Sequence, residues 1–407
     1  MIAKSLDSAV KAFKPQIKGS IGKPIIENII FRLHTKFTAL LLFAFFFLVC
    51  TREYFGDHIK CLKGDGKLEE KMVNNYCFFM TTYTIVTNDN RHLQEGNIPH
   101  PGMGPVQEKD RIVKHKYYQW VPFVLFFQCV CFYIPHLIWK KEEGGRMKAL
   151  VSCLHYARLA HMNENEVKVL DKAVPSKSAL RKTVEVIGKD VMLRLQVTRS
   201  WSICLITMEV LNLLHLIIQI WITNSFLGGN FLTLGSDWWN YDYRDQNATD
   251  PLEILFPMMT KCIFNKFGPS GTIIHHDIMC VMSLNVLYEK IYTILWFWFL
   301  ILMMLSLLAV IWRIASYNLY RRTPRMTQLL YRRVTPGRLH VDVIAYVIKR
   351  CHYADWLFLY YLAKNMPGFL FEELFNRLYD ELKQQEGDSK SSADDGNGPL
   401  LDLDDDK

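Results

Sequence analysis

The sequence predicts an all-α membrane protein in which four helices cross the bilayer. A helix needs roughly 20 mostly apolar residues to cross a hydrocarbon core of about 30 Å. Many soluble chains share the overall composition, with 50% hydrophobic residues in 407, so it is the clustering of apolar residues that predicts the spans. The four predicted spans are 29–54, 117–139, 201–226 and 291–313.

The charges beside these runs predict the orientation of the chain. Residues 1–36, 140–200 and 313–350 carry seven Lys and Arg against two acids, thirteen against seven and nine against one. The segments 51–116 and 224–290 are balanced or acidic. Because Lys and Arg accumulate on the cytoplasmic side, we expect a multi-pass plasma-membrane protein with both termini in the cytoplasm. The net charge of +8 follows from this bias and does not indicate a nucleic-acid partner.

Each predicted outer loop contains two cysteines. Cys61 and Cys77 lie in the first loop, and Cys262 and Cys280 lie in the second. Cysteines outside the cell favour disulfides, and these lack the close C-x-x-C spacing of structural zinc sites. Four cysteines allow three pairings, and their positions alone do not select one.

Residues 1–14 have the pattern of a short amphipathic helix. Ile2 belongs to an apolar face with helical spacing, whereas Lys4, Asp7 and Lys11 belong to the opposite face. One interpretation is an interfacial helix lying on the inner leaflet. The alternative is a helix that folds back into a pore and exposes its polar face to water.

The third predicted span carries polar residues along one side of the helix, and we expect that side to avoid lipid. They are explained either by hydrogen bonds between helices of the bundle or by a subunit interface or water-filled crevice. Glu209 is the most costly of these groups to bury, and the row consists of Ser202, Glu209, Asn212, His215 and Gln219.

The second span begins with a rare string, Tyr117-Tyr118-Gln119-Trp120-Val121-Pro122. Its aromatic residues are typical of the headgroup level of a membrane, and its proline is expected one turn into the span, covered by a neighbouring helix. The string resembles the signature of the innexins, the invertebrate gap-junction proteins, and residues 354–360 resemble innexin C-terminal helices. The signature residues are Tyr117, Tyr118, Gln119, Trp120, Val121 and Pro122.

The innexin resemblance covers roughly residues 1–380 and implies a fold, a disulfide pattern and a function. It implies an N-terminal pore helix, a small disulfide-stapled extracellular cap with some β structure, and a helical cytoplasmic domain. It also implies the pairs Cys61–Cys280 and Cys77–Cys262, although His58 stands where the family usually has proline. By this resemblance, about eight like subunits form a homomeric or heteromeric ring in the lipid bilayer, and two rings dock between adjacent cells.

The expected function is passive diffusion of ions and small metabolites through a large pore, without catalytic residues, a cofactor or a metal. The alternatives are an undocked hemichannel that releases small molecules and a non-conducting adhesion or scaffold protein. His275-His276-Asp277 is the nearest approach to a metal site, and it lacks a second His motif. The sequence also lacks a Walker loop, a Gly-x-Ser-x-Gly motif and a dinucleotide fingerprint.

The remaining predictions concern the outer and terminal segments. Asn247-Ala248-Thr249 is a glycosylation sequon, and Leu400–Asp404 resembles a clathrin-box peptide or is simply a solvating acidic tail. Between the spans, the predicted organisation is an N-terminal pore helix and linker (1–28), a first outer loop (55–116), a cytoplasmic loop (140–200), a second outer loop (227–290), C-terminal helices (314–384) and a disordered acidic tail (385–407).

Overall fold

The computed structural model describes residues 25–56, 58–62, 69–86, 100, 102–106, 110–148, 195–241, 250–320, 322–334, 340–365 and 368–394. The predicted N-terminal helix, the sequon at Asn247 and the clathrin-box resemblance lie outside the described residues. The chain divides into two compact units, which are described separately below. One unit comprises Ile29–His136 and Leu211–Leu308, and the other comprises Met1–Asn28, Leu137–Val210 and Ala309–Lys407.

The described part of the chain is mostly helical, with one small sheet. In chain order the elements are α1 (Ile29–Phe55), β1 (Lys60–Cys61), α2 (Glu70–Met80), β2 (Thr82–Val86), β3 (Arg111–His115), α3 (Val121–Glu143), α4 (Leu195–Phe226), α5 (Phe231–Asn240), α6 (Pro251–Leu255), β4 (Met259–Phe267), β5 (Ile273–Val281), α7 (Asn285–Leu319), α8 (Pro324–Val334), α9 (Val341–Arg350), α10 (Tyr353–Asn365) and α11 (Gly368–Asp394).

Four of these helices, α1, α3, α4 and α7, are long and apolar enough to cross a membrane. This confirms the four helices predicted from the apolar runs. Helix α7 has 35 residues and extends beyond the predicted span at both ends. Helix α3 begins at Val121, because the preceding Tyr117–Gln119 segment forms a 3₁₀ turn.

Helix α1 contains a π-helical turn at Leu33–Phe37. The Thr38 hydroxyl donates to the Leu33 carbonyl, five residues back, at 2.9 Å, as the wider turn permits. His34, Thr35 and Thr38 are all buried. The π turn therefore directs three polar side chains into the interior of the unit that contains α1.

The sheet, hereafter the loop sheet, consists of β1 to β5 in the order β1-β5-β4-β2-β3, with antiparallel neighbours. The long β4–β5 hairpin occupies its centre and pairs from Met259 opposite Val281 to Phe267 opposite Ile273. Strands from both predicted outer loops contribute to it. One continuous sheet therefore joins two segments that are distant in the chain.

Two predictions about local structure are wrong. Pro122 lies in the first turn of α3 and not one turn inside the span; a missing N–H costs nothing there, because the first N–H groups of a helix have no intrahelical partner. Helix α11 continues to Asp394, into the predicted disordered tail. A formed helix gains a backbone hydrogen bond for each added residue without a new nucleation cost.

Gly235 in α5 allows a close contact with Trp296 of α7. A Cβ atom at Gly235 would lie 2.1 Å from the nearest ring atom of Trp296. The Trp296 indole is held in place because its Nε1 donates to the Leu232 carbonyl at 3.1 Å. The absence of a side chain at Gly235 is therefore a packing requirement.

We predict that Gly235→Ala lowers the free energy of unfolding by about 1–3 kcal/mol, the usual cost of overpacking. In a helix without this contact the same change would stabilise by roughly 1 kcal/mol. Thermal melting of the purified protein, followed by size-exclusion chromatography, measures the effect, and Ser236→Ala on the exposed side of α5 is the control. A melting temperature for Gly235→Ala at or above that of the wild type would contradict the packing argument.

Candidate functional site

Two buried disulfides hold the loop sheet together. They join Cys61 to Cys280 and Cys77 to Cys262, which are the pairs that the innexin resemblance implies. The sulfur atoms of Cys61, Cys77 and Cys280 lie within 4.8 Å of one another, so the two bonds form a single cluster. Each bond connects the two loops and neither lies within one loop.

Local structure explains how the four cysteines meet. Strand β1 places Cys61 directly opposite Cys280 of β5, and β4 carries Cys262. Cys77 lies on the buried side of α2. The side chain of Asn74, also on α2, accepts a hydrogen bond from the Cys61 N–H at 2.9 Å. Helix α2 is therefore attached to the sheet by a covalent bond and by a hydrogen bond to the main chain.

Lys261 is a buried cation in the middle of the loop sheet. Its ammonium group lies 2.7 Å from the Asp277 carboxylate and donates to the Gly104 carbonyl, also at 2.7 Å. Burial and the nearby Asp277 raise the pKa of Tyr83 to about 12. The sheet is thus fixed by a polar contact that the sequence analysis missed, because only the strand pairing brings these residues together.

The candidate metal ligands of β5 have other partners or stay apart. The His275 ring shares a hydrogen bond with the Asn265 side chain at 2.7 Å, and Asp277 pairs with Lys261. His276 faces the opposite side of the strand, since successive side chains alternate. Within the described ranges, the one group of three potential ligands consists of the disulfide sulfurs already named.

The signature string anchors the C-terminal end of α2. Tyr118 donates its hydroxyl hydrogen to the Phe78 carbonyl at 3.0 Å. Gln119 donates from its side-chain amide to the carbonyls of Phe78 and Phe79 at 2.6 and 3.3 Å. The last carbonyls of a helix have no partner within the helix. The signature therefore satisfies the free carbonyls of α2, the helix that carries Cys77.

The headgroup interpretation of the signature stays a prediction for Trp120 and fails for Tyr118. Trp120 is 60% exposed, so its ring is free to lie at the headgroup level. Tyr118, by contrast, is 1% exposed and packs against the Phe78 ring at 5.4 Å. A tyrosine that is enclosed by protein cannot anchor the helix among lipid headgroups.

Asn212, His215 and Gln219 on α4 face other helices of their unit. The His215 and Gln219 side chains share a hydrogen bond at 3.1 Å, and the His215 ring lies 5.7 Å from the ring of His34. One turn beyond Gln219, Thr223 accepts a hydrogen bond from Gln128 of α3 at 2.8 Å. These contacts favour bonding between helices of the bundle over a subunit interface.

Glu209 forms a bidentate ion pair with Arg313 in the unit that contains Leu137–Val210 and Ala309–Lys407. The Arg313 guanidinium donates from Nε and Nη2 to the two Glu209 carboxylate oxygens, at 2.6 and 2.7 Å. Both side chains are largely buried, at 9% and 16% exposure. Since charges inside a bilayer are costly unless paired, the Glu209 carboxylate is balanced by Arg313 of the same chain. Arg313 stands at the predicted end of the fourth span, but nothing in the local sequence pairs it with Glu209.

The chain matches known proteins over nearly all of its length. The family model named Innexin matches residues 27–382. The chain belongs to the innexin family. It is 40% identical over 379 residues to innexin inx7 of Drosophila melanogaster, covering 93% of this chain and 85% of the relative. It is 36% identical over 366 residues to innexin inx2 of Schistocerca americana, covering 89% and 94%.

Innexins are subunits of oligomeric gap-junction channels. This innexin is accordingly a gap-junction membrane protein, and it is a channel protein and not an enzyme. A third relative, innexin shaking-B of Drosophila melanogaster, is 33% identical over 358 residues, covering 88% of this chain and 90% of the relative. The family membership agrees with the four membrane helices and with the two disulfides. It confirms the resemblance first drawn from Tyr117–Pro122.

The disulfide cluster predicts that single cysteine variants rearrange. Cys262→Ala leaves a thiol on Cys77 within 4.8 Å of the sulfurs of Cys61 and Cys280. A Cys77 thiolate that attacks one of these sulfurs forms a new disulfide and releases the other as a thiol. Peptide mapping after alkylation under non-reducing conditions should therefore find Cys77 joined to Cys61 or Cys280.

The double variant Cys77→Ala/Cys262→Ala is the matched control, because it has no free thiol and should retain the Cys61–Cys280 bond. Removal of a native disulfide typically costs roughly 2–5 kcal/mol, so the control should fold less stably but with a single pairing. The prediction fails if alkylation finds Cys77 as the one modified loop thiol in the single variant, with Cys61–Cys280 intact.

Proposed function

We propose that this innexin forms docked intercellular channels, in which eight subunits make a ring and two rings meet through their disulfide-linked loops. The observation that carries this proposal is that both disulfides connect one loop with the other. Two loops joined in one sheet present a single pre-organised surface, and a surface ordered in advance loses less entropy on binding. This arrangement suits close contact with an opposing ring.

The proposed topology places both termini and the 140–200 loop in the cytoplasm, with the loop sheet outside the cell. The excess of Lys and Arg over acids in the terminal and 140–200 segments supports this orientation. The disulfides support it independently, since such bonds persist in oxidising compartments. The docking surface then faces the adjacent cell.

The proposed transport is passive diffusion of ions and small metabolites, with residues 1–14 lining the cytoplasmic mouth of the pore. In this arrangement Ile2 lies on the face packed against the channel wall. Lys4, Asp7 and Lys11 lie on the face in contact with water. The two lysines then place positive charge in the ion path, which favours anions or slows cations.

Changing both lysines to glutamate should shift the reversal potential, measured under a KCl gradient, toward the potassium equilibrium potential. Reversal potential is the appropriate measurement because it does not depend on the number of channels. Lys140→Glu/Lys141→Glu, which makes the same change of charge at the exposed end of α3, should leave it unchanged. No shift in the N-terminal variant, with unchanged unitary conductance after deletion of residues 2–14, would place this segment on the leaflet instead.

The second candidate function is an undocked hemichannel, and the observation in its favour is the sequon at Asn247. In the proposed topology Asn247 lies outside the cell, between the third span and Cys262. A glycan is bulky and strongly hydrated, so a glycan on the docking rim would keep two rings apart. A glycan directed sideways would leave docking unaffected, and our proposal requires this direction.

Recording from cell pairs that express Asn247→Gln separates the two functions. We expect equal junctional conductance in the variant and the wild type, because the glycan lies off the docking face. Thr249→Ala and Thr249→Ser are matched controls, since the first removes the sequon without changing Asn247 and the second retains it. Junctional conductance that appears only in Asn247→Gln and Thr249→Ala would establish the glycosylated protein as a hemichannel.

A further inference from the structure

A single side chain holds the linker that leads into the first membrane helix. The Asn365 Oδ1 atom accepts a hydrogen bond from the Ile25 N–H at 2.6 Å, and Asn365 Nδ2 donates to the Ile25 carbonyl at 2.9 Å. The remaining Nδ2 hydrogen is directed to the Tyr361 carbonyl at 2.8 Å. The amide of Asn365 thus pairs with the main chain of Ile25 much as a neighbouring β-strand would.

Asn365 is the last residue of α10, and α10 is itself firmly held. Most side chains of this helix are buried. Ser202 of α4 donates to the Ala354 carbonyl at 2.6 Å, and the hydroxyls of Ser316 on α7 and Tyr353 on α10 share a hydrogen bond at 2.6 Å. Helix α10 therefore connects the ends of two membrane helices with the linker at Ile25.

We propose that Asn365 is a positioning residue that fixes the path of the linker and, through it, the place of the N-terminal segment in the pore. Ile25 lies four residues before Ile29, the start of α1, and the chain that precedes Ile25 leads to residues 1–14. A displacement of α10 moves Asn365, and Asn365 moves the main chain of Ile25. The C-terminal helices thereby control the pore mouth through one pair of hydrogen bonds. This inference rests on the proposed location of residues 1–14.

The chemistry of the contact requires the asparagine amide. Aspartate at position 365 keeps an acceptor for the Ile25 N–H. Its second carboxylate oxygen would face the Ile25 carbonyl oxygen, to which it cannot donate, and the two oxygens would repel each other. Alanine removes both bonds. Each hydrogen bond contributes a net ~1 kcal/mol, so loss of the pair should leave the linker attached by its packing alone.

Hydrogen exchange in the purified full-length channel tests the contact itself. In Asn365→Ala the amide of Ile25 should exchange about five- to thirtyfold faster, the factor that corresponds to the loss of about one to two kcal/mol of protection. Asn376→Ala, at an exposed position of α11, is the matched control and should exchange like the wild type. Unchanged exchange at Ile25 in Asn365→Ala would overturn the inference.

Single-channel recording tests the consequence for conduction. A loosened N-terminal segment holds Lys4 and Lys11 less precisely, so Asn365→Ala should shift the reversal potential in the same direction as Lys4→Glu/Lys11→Glu. In the background of that double variant, Asn365→Ala should shift it in the opposite direction, because the misplaced charges are now negative. A general loss of stability changes the number of channels but does not reverse the sign of such a shift.

The recordings distinguish failure of this inference from failure of the proposed pore lining. If Lys4→Glu/Lys11→Glu shifts the reversal potential and Asn365→Ala does not, positioning by Asn365 is wrong and the pore lining stands. If neither variant shifts it, the pore lining fails, and the link from Asn365 to conduction fails with it.

If Asn365→Ala does not reach the cell surface, Ile25→Pro removes the N–H donor from the other side of the contact. It should give the same pair of opposite shifts, and a reversal potential that Ile25→Pro leaves unchanged in both backgrounds would overturn the inference.

Discussion

The loop sheet depends on two disulfides whose sulfur atoms form one buried cluster. They join residues 219 and 185 positions apart in the chain, so the chain itself does little to keep the two loops together. Strand β1 has only two residues, so its pairing with β5 supplies few hydrogen bonds to hold the first loop on the long β4–β5 hairpin. The disulfides restrict the unfolded chain, and Lys261, Asp277 and the signature residues then complete the packing. A rigid sheet is the result.

A second constraint comes from the bilayer, which offers no partner to a polar group. The structure meets part of this constraint inside the subunit. Glu209 is matched by Arg313, and Gln219 shares a hydrogen bond with His215. Exposed positions on the membrane helices are largely apolar, as along one side of α3, where Phe123 and Phe127 are both more than half exposed. Such a surface suits contact with lipid or with a neighbouring subunit of the ring.

Much of the architecture could be predicted from the sequence, because spans and flanks follow from local physics. Apolar length predicted the four membrane helices. The loop cysteines predicted disulfides, but their pairing came only from the family resemblance, since position alone permits three arrangements. The helical spacing of Glu209, Asn212 and His215 predicted that their side of α4 avoids lipid.

What could not be predicted depends on contacts between distant residues. No local pattern places Arg313 beside Glu209 or Lys261 beside Gly104. The role of Tyr118 was misjudged for the same reason. The sequence does not distinguish an aromatic residue that faces lipid at the end of a span from one that is buried in protein. Asn365 was not singled out at all. An asparagine at the end of a helix is a common C-terminal residue, and its bonding to Ile25 depends on the tertiary fold.

The central claim is that this innexin connects two cells through rings that dock by their loop sheets. The most direct measurement is the junctional current in pairs of cells that lack other gap-junction proteins, with the chain expressed in both cells or in only one. The account predicts current when both cells express it and none when only one does, because docking requires two rings. Surface expression in both cells without junctional current, accompanied by current across the single membranes, would contradict it.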